Sequence, residues 1–405
     1  MSDLSVWLAQ QSKSEREYLL KYQPRDFVEG LRDFNGYYRW VTDFGLIEAK
    51  LELSGVQPLI EDYDLARISD VFLSEGQTET LKLIQGAIRK SAHVLEKDKT
   101  QLVEHLWGRL LDFEMPEIQR LLEQARQSKD SVWLRPLKAK ANLERAGEGC
   151  LRTLTGHTSG VRGVAIAPDG KTAISASWDQ TLKIWDTDTG AQLRTLIGHT
   201  DRVLAVAIAP DGKTAISASW DQTLKIWDTE TGAQLRTLIG HTDRVLAVAI
   251  APDGKTAISA SYDKTLKIWD TETGCELKTL TGHGDWVNAV AIAPDGKTAI
   301  SASGDETLKI WDTETGRELK TLTGHSSGVN AVAIAPDGKT AISASRDHTL
   351  KVWDLLTGKE VASFSGESAF SGCAIAPDGV TVVAGDASGR VHFLRLEGMG
   401  DLGDV

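Results

Sequence analysis

A repeat of 42 residues constrains this chain more than any other feature of its sequence. The dipeptide Gly-His recurs at that step, with histidine at His157, His199, His241, His283 and His325. The dipeptide Trp-Asp keeps the same step, with tryptophan at Trp185, Trp227, Trp269, Trp311 and Trp353. Self-similarity at one fixed period indicates an array in which each unit buries its apolar faces against its neighbours.

Each unit has the pattern of four short strands. In the second unit, residues 203–209 are apolar throughout and stop at the turn formed by Pro210, Asp211 and Gly212, as expected of a strand buried on both faces. The runs TAISAS and TLKIWD supply two further strands, and a fourth, such as residues 192–196, follows a turn. Four strands per unit predict the blade of a β-propeller.

On these Gly-His and Trp-Asp pairs, residues 150 to 396 resemble the WD-repeat family. A sixth unit is degenerate, with Glu367 where histidine is expected and with Leu394 and Arg395 in place of Trp-Asp. We expect an outer strand at residues 151–154 to complete the sixth blade and close the ring, which would remove an exposed sheet edge. The sequence therefore predicts an all-β six-bladed propeller of WD repeats over residues 150–397, preceded by an N-terminal all-α helical domain.

The resemblance implies a buried structural tetrad in each complete unit, in which the indole N–H meets serine, serine meets histidine, and aspartate fixes the histidine ring. The five sets are His157, Ser175, Asp179 and Trp185; His199, Ser217, Asp221 and Trp227; His241, Ser259, Asp263 and Trp269; His283, Ser301, Asp305 and Trp311; and His325, Ser343, Asp347 and Trp353. A hydrolase triad is the alternative interpretation. Because a nucleophile needs one special site and this set occurs five times, we expect architecture and no catalytic residue.

Metal and cofactor sites are not predicted. Histidines that belong to different blades cannot converge on one ion. The turn at residues 186–190 begins like a calcium loop but lacks the distal glutamate that such a loop needs. Cys150, Cys275 and Cys373 lie far apart and have no metal-ligand spacing, so we expect reduced thiols.

Positions that differ between the near-identical units are the candidate binding residues. In the resembling family these positions lie on the top face of the propeller, around the channel mouth. Tryptophan, tyrosine and arginine are the residues typical of binding hot spots. We therefore expect a protein or peptide partner to contact Arg162, Trp178, Arg202, Leu204, Trp220, Arg244, Leu246, Tyr262, Trp286, Asn288 and Arg346. The alternative is that these aromatic side chains only shield the strand ends.

Residues 1–129 lack the repeat and are predicted to form helices at residues 3–23, in a stretch through 51, and at 78–98, 100–111 and 116–127. The segments DFGLIEAKL (43–51), LIEDYDL (59–65) and AHVL (92–95) resemble the helical domain of signal-transducing NTPases related to apoptotic protease-activating factor, over about residues 35–135. No phosphate-binding loop occurs ahead of these segments. The resemblance implies a sensor or adaptor that acts with an NTPase or protease effector on another chain.

Residues 130–149, with Trp133 and the basic pair Lys138 and Lys140, are predicted to be a linker, and residues 398–405 a tail. The formal charge of -12 disfavours nucleic acid as a partner, and the sequence has neither a secretory start nor an apolar run of membrane-spanning length. We therefore expect a cytoplasmic, non-enzymatic binding protein. A fragment or relic of a larger signalling NTPase, with a purely structural role, is the second hypothesis, and a hydrolase is a remote third.

Overall fold

The computed structural model describes residues 3–68, 71–129, 132–136 and 153–398. The chain divides into two compact units, Met1–Lys138 with Phe393–Val405, and Ala139–His392. The basic pair Lys138 and Lys140 and Cys150, which the sequence analysis singled out, lie outside the described residues, as does nearly all of the predicted tail.

The first unit contains the N-terminal helices. In chain order they are α1 Asp3–Ala9, α2 Lys13–Arg25, α3 Phe34–Val41, α4 Phe44–Ser54, α5 Val56–Asp64, α6 Glu75–Leu95, α7 Leu102–Leu110 and α8 Pro116–Gln127, with a π turn at Asp26–Gly30 and 3-10 turns at Leu65–Arg67 and Lys99–Gln101. One face of α6 is apolar and buried, with Leu81, Ile84 and Ile88 at 2% exposure or less.

Helix ends correct the sequence prediction in two places. The single helix expected over residues 3–23 is two helices, because the hydroxyl of Ser12 accepts the backbone N–H of Glu15 and begins α2 afresh. Helix α6 begins before the predicted residue 78, because Ser74 and Gln77 form a capping box ahead of it. Helix α8 spans the predicted residues 116–127, with Pro116 in its first turn.

The strands form six four-stranded antiparallel sheets. Strand β1 is Trp133–Pro136. The next twenty strands make five sheets, termed blades 1 to 5: β2 Val161–Ile166, β3 Thr172–Ser177, β4 Thr181–Asp186 and β5 Gln192–Ile197; β6 Val203–Ile208, β7 Thr214–Ser219, β8 Thr223–Asp228 and β9 Gln234–Ile239; β10 Val245–Ile250, β11 Thr256–Ser261, β12 Leu266–Asp270 and β13 Glu276–Leu280; β14 Val287–Ile292, β15 Thr298–Ser303, β16 Leu308–Asp312 and β17 Glu318–Leu322; and β18 Val329–Ile334, β19 Thr340–Ser345, β20 Thr349–Asp354 and β21 Glu360–Ser365. The sixth sheet holds β22 Phe370–Ile375, β23 Thr381–Asp386 and β24 Val391–Glu397, with β1 at its edge.

Successive blades stack through apolar side chains. Between blades 1 and 2, Ile174 and Leu182 pack with Val203 and Trp227, and all four are buried. The same set recurs between blades 2 and 3, 3 and 4, and 4 and 5. A β-propeller is therefore the fold of the repeats, as predicted.

The fourth strand of the sixth sheet is not the one that the sequence predicted. Residues 151–154 were predicted to fill this place, but Thr153 and Leu154 have no regular structure and the other two residues are not described. Instead β1 pairs with β24, with Trp133 opposite Glu397 and Arg135 opposite Arg395. The predicted linker thus contains a strand, which is fixed by the buried ring of Trp133 and by an ion pair of 2.7 Å between Arg135 Nε and Glu397.

Strand β2, the inner strand of blade 1, is exposed. The predicted ring closure would have placed the sixth sheet against it. Val164 and Ile166 of β2 are 64% and 67% exposed, whereas Val206, which takes the place of Val164 in blade 2, is only 9% exposed. The strands β6, β10, β14, β18 and β22 each pack on the preceding blade. Among the described residues, no sheet packs on β2 in the same way, so the expected closure is not found there.

Candidate partner-binding face

The five predicted tetrads are hydrogen-bonded chains inside the blades. In blade 2 the indole N–H of Trp227 donates to Ser217 Oγ at 2.8 Å, His199 Nε2 lies 2.7 Å from Ser217 Oγ, and His199 Nδ1 lies 2.7 Å from Asp221. Because ionised Asp221 can only accept, Nδ1 carries the proton and Ser217 donates to Nε2. The other four complete units repeat these contacts within 0.1 Å.

The aspartate of each tetrad is held in its ionised form. Burial raises the pKa of Asp179, but hydrogen bonds from Thr181, His157 and the backbone N–H of Thr158 outweigh it and lower that pKa to about 2. The same balance lowers the pKa of Asp305 to about 2. In blade 4, burial lowers the pKa of His283 despite its contact with Asp305, so its ring is neutral near pH 7.

Burial shows why these groups do not form a hydrolase site. Ser217, Ser259, Ser301 and Ser343 are 0% exposed, and the histidine side chains bonded to them are 0% exposed as well. A nucleophile must reach its substrate, and each of these hydroxyls already has the indole N–H as a second partner. The repeated quartets are therefore structural.

One end of the blades carries the side chains that differ between units. In blade 2 the register pairs Val203 with Ser219, which brings Arg202 and Trp220 to the same end of neighbouring strands. The backbone N–H of Trp220 donates to the carbonyl of Arg202 at 2.9 Å. The same bond joins Tyr262 to Arg244 in blade 3, so blades 2 and 3 each present one aromatic and one basic side chain together.

Seven of the predicted residues make one continuous stack across blades 1 to 4, which we call the ladder. The guanidinium carbon of Arg202 lies 4.6 Å from the ring centroid of Trp178 and 4.7 Å from that of Trp220. The Tyr262 and Trp286 rings end the stack, with centroids 4.3 Å apart. Cations at such distances are attracted to the ring electrons. In order, the ladder is Arg162, Trp178, Arg202, Trp220, Arg244, Tyr262 and Trp286.

The ladder arginines have no carboxylate partner. In the described ranges no ion pair of 4.0 Å or less includes Arg162, Arg202 or Arg244. Asp201 and Asp243 are their chain neighbours, but each turns Oδ1 onto the backbone N–H of the next residue at 2.7 Å. Three cationic groups are thus lined up against aromatic rings, and among the described residues none of them pairs with a carboxylate.

Two ladder tryptophans also lack a hydrogen-bond partner. The Nε1 atoms of Trp178 and Trp220 are buried and, among the described residues, have no acceptor. A buried donor left unpaired costs about 1–3 kcal/mol. In contrast to the tetrad tryptophans, these two side chains are held by their ring contacts with arginine and not by a hydrogen bond of the indole N–H.

The remaining predicted residues lie near the ladder but are not part of it. Leu204 and Leu246 are half-buried. Asn288 donates its side-chain N–H to the carbonyl of Val329 in the next blade at 2.9 Å. Arg346 is exposed and donates to Asn330 Oδ1 at 3.0 Å. The ladder ends at blade 4 because Gly304 stands where the earlier units have tryptophan or tyrosine.

Sequence reasoning missed Asn330 and a row of buried lysines. Asn330 donates to the carbonyl of Phe370, and it could have been found as the blade 5 counterpart of Asn288. The lysine in the third strand is buried in blades 1 to 4 and half-buried in blade 5, and in blade 3 Lys267 Nζ lies 2.8 Å from Glu276. Blades 4 and 5 have the same pair, whereas blades 1 and 2 have Gln192 and Gln234 in place of the glutamate. Both sets are structural rather than part of the ladder.

The described part of the chain contains no cluster of metal-binding side chains, and its two cysteines are not paired with each other. No three histidine, cysteine, aspartate or glutamate side chains there come together to hold a metal ion. Cys275 is exposed, and burial raises the pKa of the half-buried Cys373 to about 12. None of the helices in this part of the chain is long and apolar enough to cross a membrane.

Comparison with protein families matches the repeated region. The model of the WD domain, G-beta repeat, matches residues 148–186, 190–228, 232–270, 274–312 and 316–354. Each match ends at the Trp-Asp pair of one complete unit. The N-terminal helices lie outside these matches.

Curated relatives match over single repeats. Cross-pathway control WD-repeat protein 2 of Flammulina velutipes is 55% identical over 40 residues, which are 10% of this chain and 13% of the relative. Small ribosomal subunit protein RACK1 of Caenorhabditis elegans is 50% identical over 40 residues, 10% of this chain and 12% of the relative. Vegetative incompatibility protein HET-E-1 of Podospora anserina is 46% identical over 48 residues, 12% of this chain and 4% of the relative. The matches thus span only a small part of these relatives.

Proposed function

Residues 148–354 of this chain are five WD40 repeats, and from that premise we propose that the ladder binds a protein or peptide partner. WD40 repeats indicate a non-enzymatic scaffold for protein interactions, and the burial of the five Ser-His-Asp sets agrees with it. On this scaffold the partner would bind along the ladder, across blades 1 to 4.

The observation that carries the proposal is the ladder itself. Its side chains stand at positions where otherwise copied units differ, and they still make contact from one blade to the next. Tryptophan, tyrosine and arginine are enriched among the residues that supply most of the affinity in protein interfaces, and the two aromatic types bury large areas at little cost in conformational entropy. Trp286 at the end of the ladder is 37% exposed, so the stack is accessible to a partner.

Selection from a random peptide library tests the proposal. The wild-type chain would be the bait, and each selected peptide would be measured against the triple variant Trp178→Ala, Trp220→Ala and Tyr262→Ala. We expect at least a tenfold loss of affinity in the variant, since hot-spot truncations cost about 2 kcal/mol or more each. Circular dichroism would verify that the variant remains folded.

A matched control removes three exposed apolar side chains from the outer strands of the same blades. The variant Leu193→Ala, Leu235→Ala and Leu277→Ala changes residues that are 44%, 44% and 48% exposed. It should bind selected peptides as the wild type does. Equal binding by the wild type and the ladder variant would rule out the ladder as the binding site.

We also propose that the helical unit engages a signalling NTPase or protease effector on another chain. The support is the likeness of residues 43–51, 59–65 and 92–95 to the helical domain of such NTPases. Chemical cross-linking of the full chain in its native cells, read by mass spectrometry, tests this idea. Cross-links from α4 to α6 to an NTPase or protease are expected, whereas cross-links confined to the blades would contradict it.

A further inference from the structure

The geometry points to one class of partner, and we infer that the ladder binds an extended peptide segment with acidic side chains at every second position. This inference rests on the proposed function and deepens it. It depends on the charge, the orientation and the spacing of Arg162, Arg202 and Arg244.

Charge favours an acidic ligand. The whole chain carries a formal charge of -12, whereas the ladder brings three arginines together in one row. Arg162, Arg202 and Arg244 make no ion pair within the described residues. Carboxylates are the natural partners of such groups, because an arginine binds them through two parallel hydrogen bonds.

The N–H donors of the three arginine side chains make no hydrogen bond among the described residues, although each guanidinium group lies against a ring. A guanidinium group is planar, and stacking on a ring uses its face while the N–H donors point outward from its edge. Arg202 is held between two rings and Arg244 lies 4.2 Å from Trp220 and 5.6 Å from Tyr262. The rings restrain both side chains before a ligand arrives, which lowers the entropy lost on binding.

Spacing selects an extended segment. Arg162 and Arg202 both stand within 4.7 Å of the Trp178 centroid, so their guanidinium carbons are no more than about 9 Å apart. Arg202 and Arg244 are related in the same way through Trp220. Side chains at alternate positions of an extended chain share one face and are about 7 Å apart. Three alternating carboxylates therefore match three arginines.

Single-stranded nucleic acid fits the ladder less well. Proteins bind such strands by stacking bases on exposed aromatic faces. Trp178 and Trp220 each already have two guanidinium groups within 4.7 Å of the ring centroid. A base would have to displace an arginine from its ring, whereas a carboxylate binds the arginine where it is.

Fluorescence anisotropy with designed peptides tests the inference on the full chain. The probe is a labelled peptide of about eleven residues with glutamate at three alternate positions among serine and glycine. Its comparison peptides have glutamine at these positions, lysine at these positions, or the three glutamates in succession. We expect the alternating acidic peptide to bind at least tenfold more tightly than the others, and its affinity to fall as salt is raised.

Two variants that each remove three arginines test whether the acidic peptide binds at the ladder. Arg162→Gln, Arg202→Gln and Arg244→Gln together should weaken the acidic peptide at least tenfold. Arg194→Gln, Arg236→Gln and Arg317→Gln remove the same charge from exposed positions on the outer strands and the turn before them, and should leave the affinity within about twofold. Equal weakening by both variants would show general charge attraction and overturn the inference.

Other outcomes separate this inference from the proposed function. If neutral or basic peptides bind more tightly than the acidic one and lose affinity in the aromatic triple variant, the proposed function stands and the acidic preference is wrong. If a thymidine oligonucleotide binds the ladder more tightly than every peptide, both ideas fall. If no peptide binds in a manner that depends on the ladder, both fall as well.

Discussion

The guanidinium carbon of Arg244 lies 4.2 Å from the ring centroid of Trp220, the shortest arginine–aromatic distance in the described part of the chain. Trp220 is positioned by this cation and by Arg202, while its own N–H has no acceptor among the described residues. Trp227, a few residues later in the same blade, is positioned in the opposite manner, by the bond from its N–H to Ser217. One residue type is thus held by a hydrogen bond in one place and by two cations in the other.

The same substitution at these two tryptophans should have opposite effects. Trp220→Phe keeps a ring for Arg202 and Arg244 and removes an unpaired buried donor, so we expect the free energy of unfolding to stay level or rise by up to about 1 kcal/mol. Trp227→Phe removes the partner of Ser217 and should cost about 1–3 kcal/mol. Urea unfolding of both variants checks this, and an equal loss in both would contradict it.

Blades 1 and 2 should gain stability from a feature that blades 3 to 5 already have. Lys183 and Lys225 are buried and bond to threonine hydroxyls, whereas the equivalent Lys267 pairs with Glu276. Gln192→Glu and Gln234→Glu would supply the missing carboxylates, and we expect about 0.5–1.5 kcal/mol for each. Thermal unfolding at pH 7 measures the gain.

The reverse change is the control for that experiment. Glu276→Gln should lower the melting temperature by a similar amount, since it leaves Lys267 with only the hydroxyl of Thr279. A rise on Glu276→Gln, or a fall on Gln192→Glu, would show that the pair does not stabilise its blade.

The exposed inner strand of blade 1 should tolerate a charge that blade 2 cannot. Val164→Asp places a carboxylate at a position that is 64% exposed and should cost less than about 1 kcal/mol. Val206→Asp places it at an equivalent position that is 9% exposed and should cost about 3 kcal/mol or more. Equal, large losses in both variants would mean that β2 is covered in solution.

Acid should unfold the blades as their aspartates gain protons. Because the pKa of Asp305 is lowered to about 2 from an ordinary value near 3.8, its bonds to Thr307, Gly284 and His283 stabilise the fold fully above pH 4. That contribution is lost as pH falls from about 4 towards 2. We expect Asp305→Asn to be about 1–3 kcal/mol less stable than the wild type at pH 7 and nearly equal to it at pH 2. Denaturant unfolding over this pH range measures the difference, and a gap that does not narrow would contradict the prediction.

The repeat made most of the fold predictable, since His199, Ser217, Asp221 and Trp227 have copies at one fixed step. The edge strand at Trp133 could not be predicted in this way. It has no copy, and its place depends on the edge-on contact with the Trp107 ring, 6.0 Å away, and on the pairing with Glu397.

The residues of the candidate face could be found from the differences between units, but their contacts could not. Whether Arg202 reaches Trp178 in the neighbouring blade depends on the separation of the blades, which the sequence does not state. Likewise, nothing in the sequence distinguishes Val164 from Val206, because only the presence or absence of a neighbouring sheet separates them.

The ion pair of Arg135 and Glu397 joins residues 262 positions apart in the chain. During synthesis on the ribosome, β1 emerges long before β24. Its backbone therefore has no paired strand until the residues of all five blades have been made. Loss of β24 would therefore leave the backbone of β1 without its paired strand and Arg135 without this carboxylate.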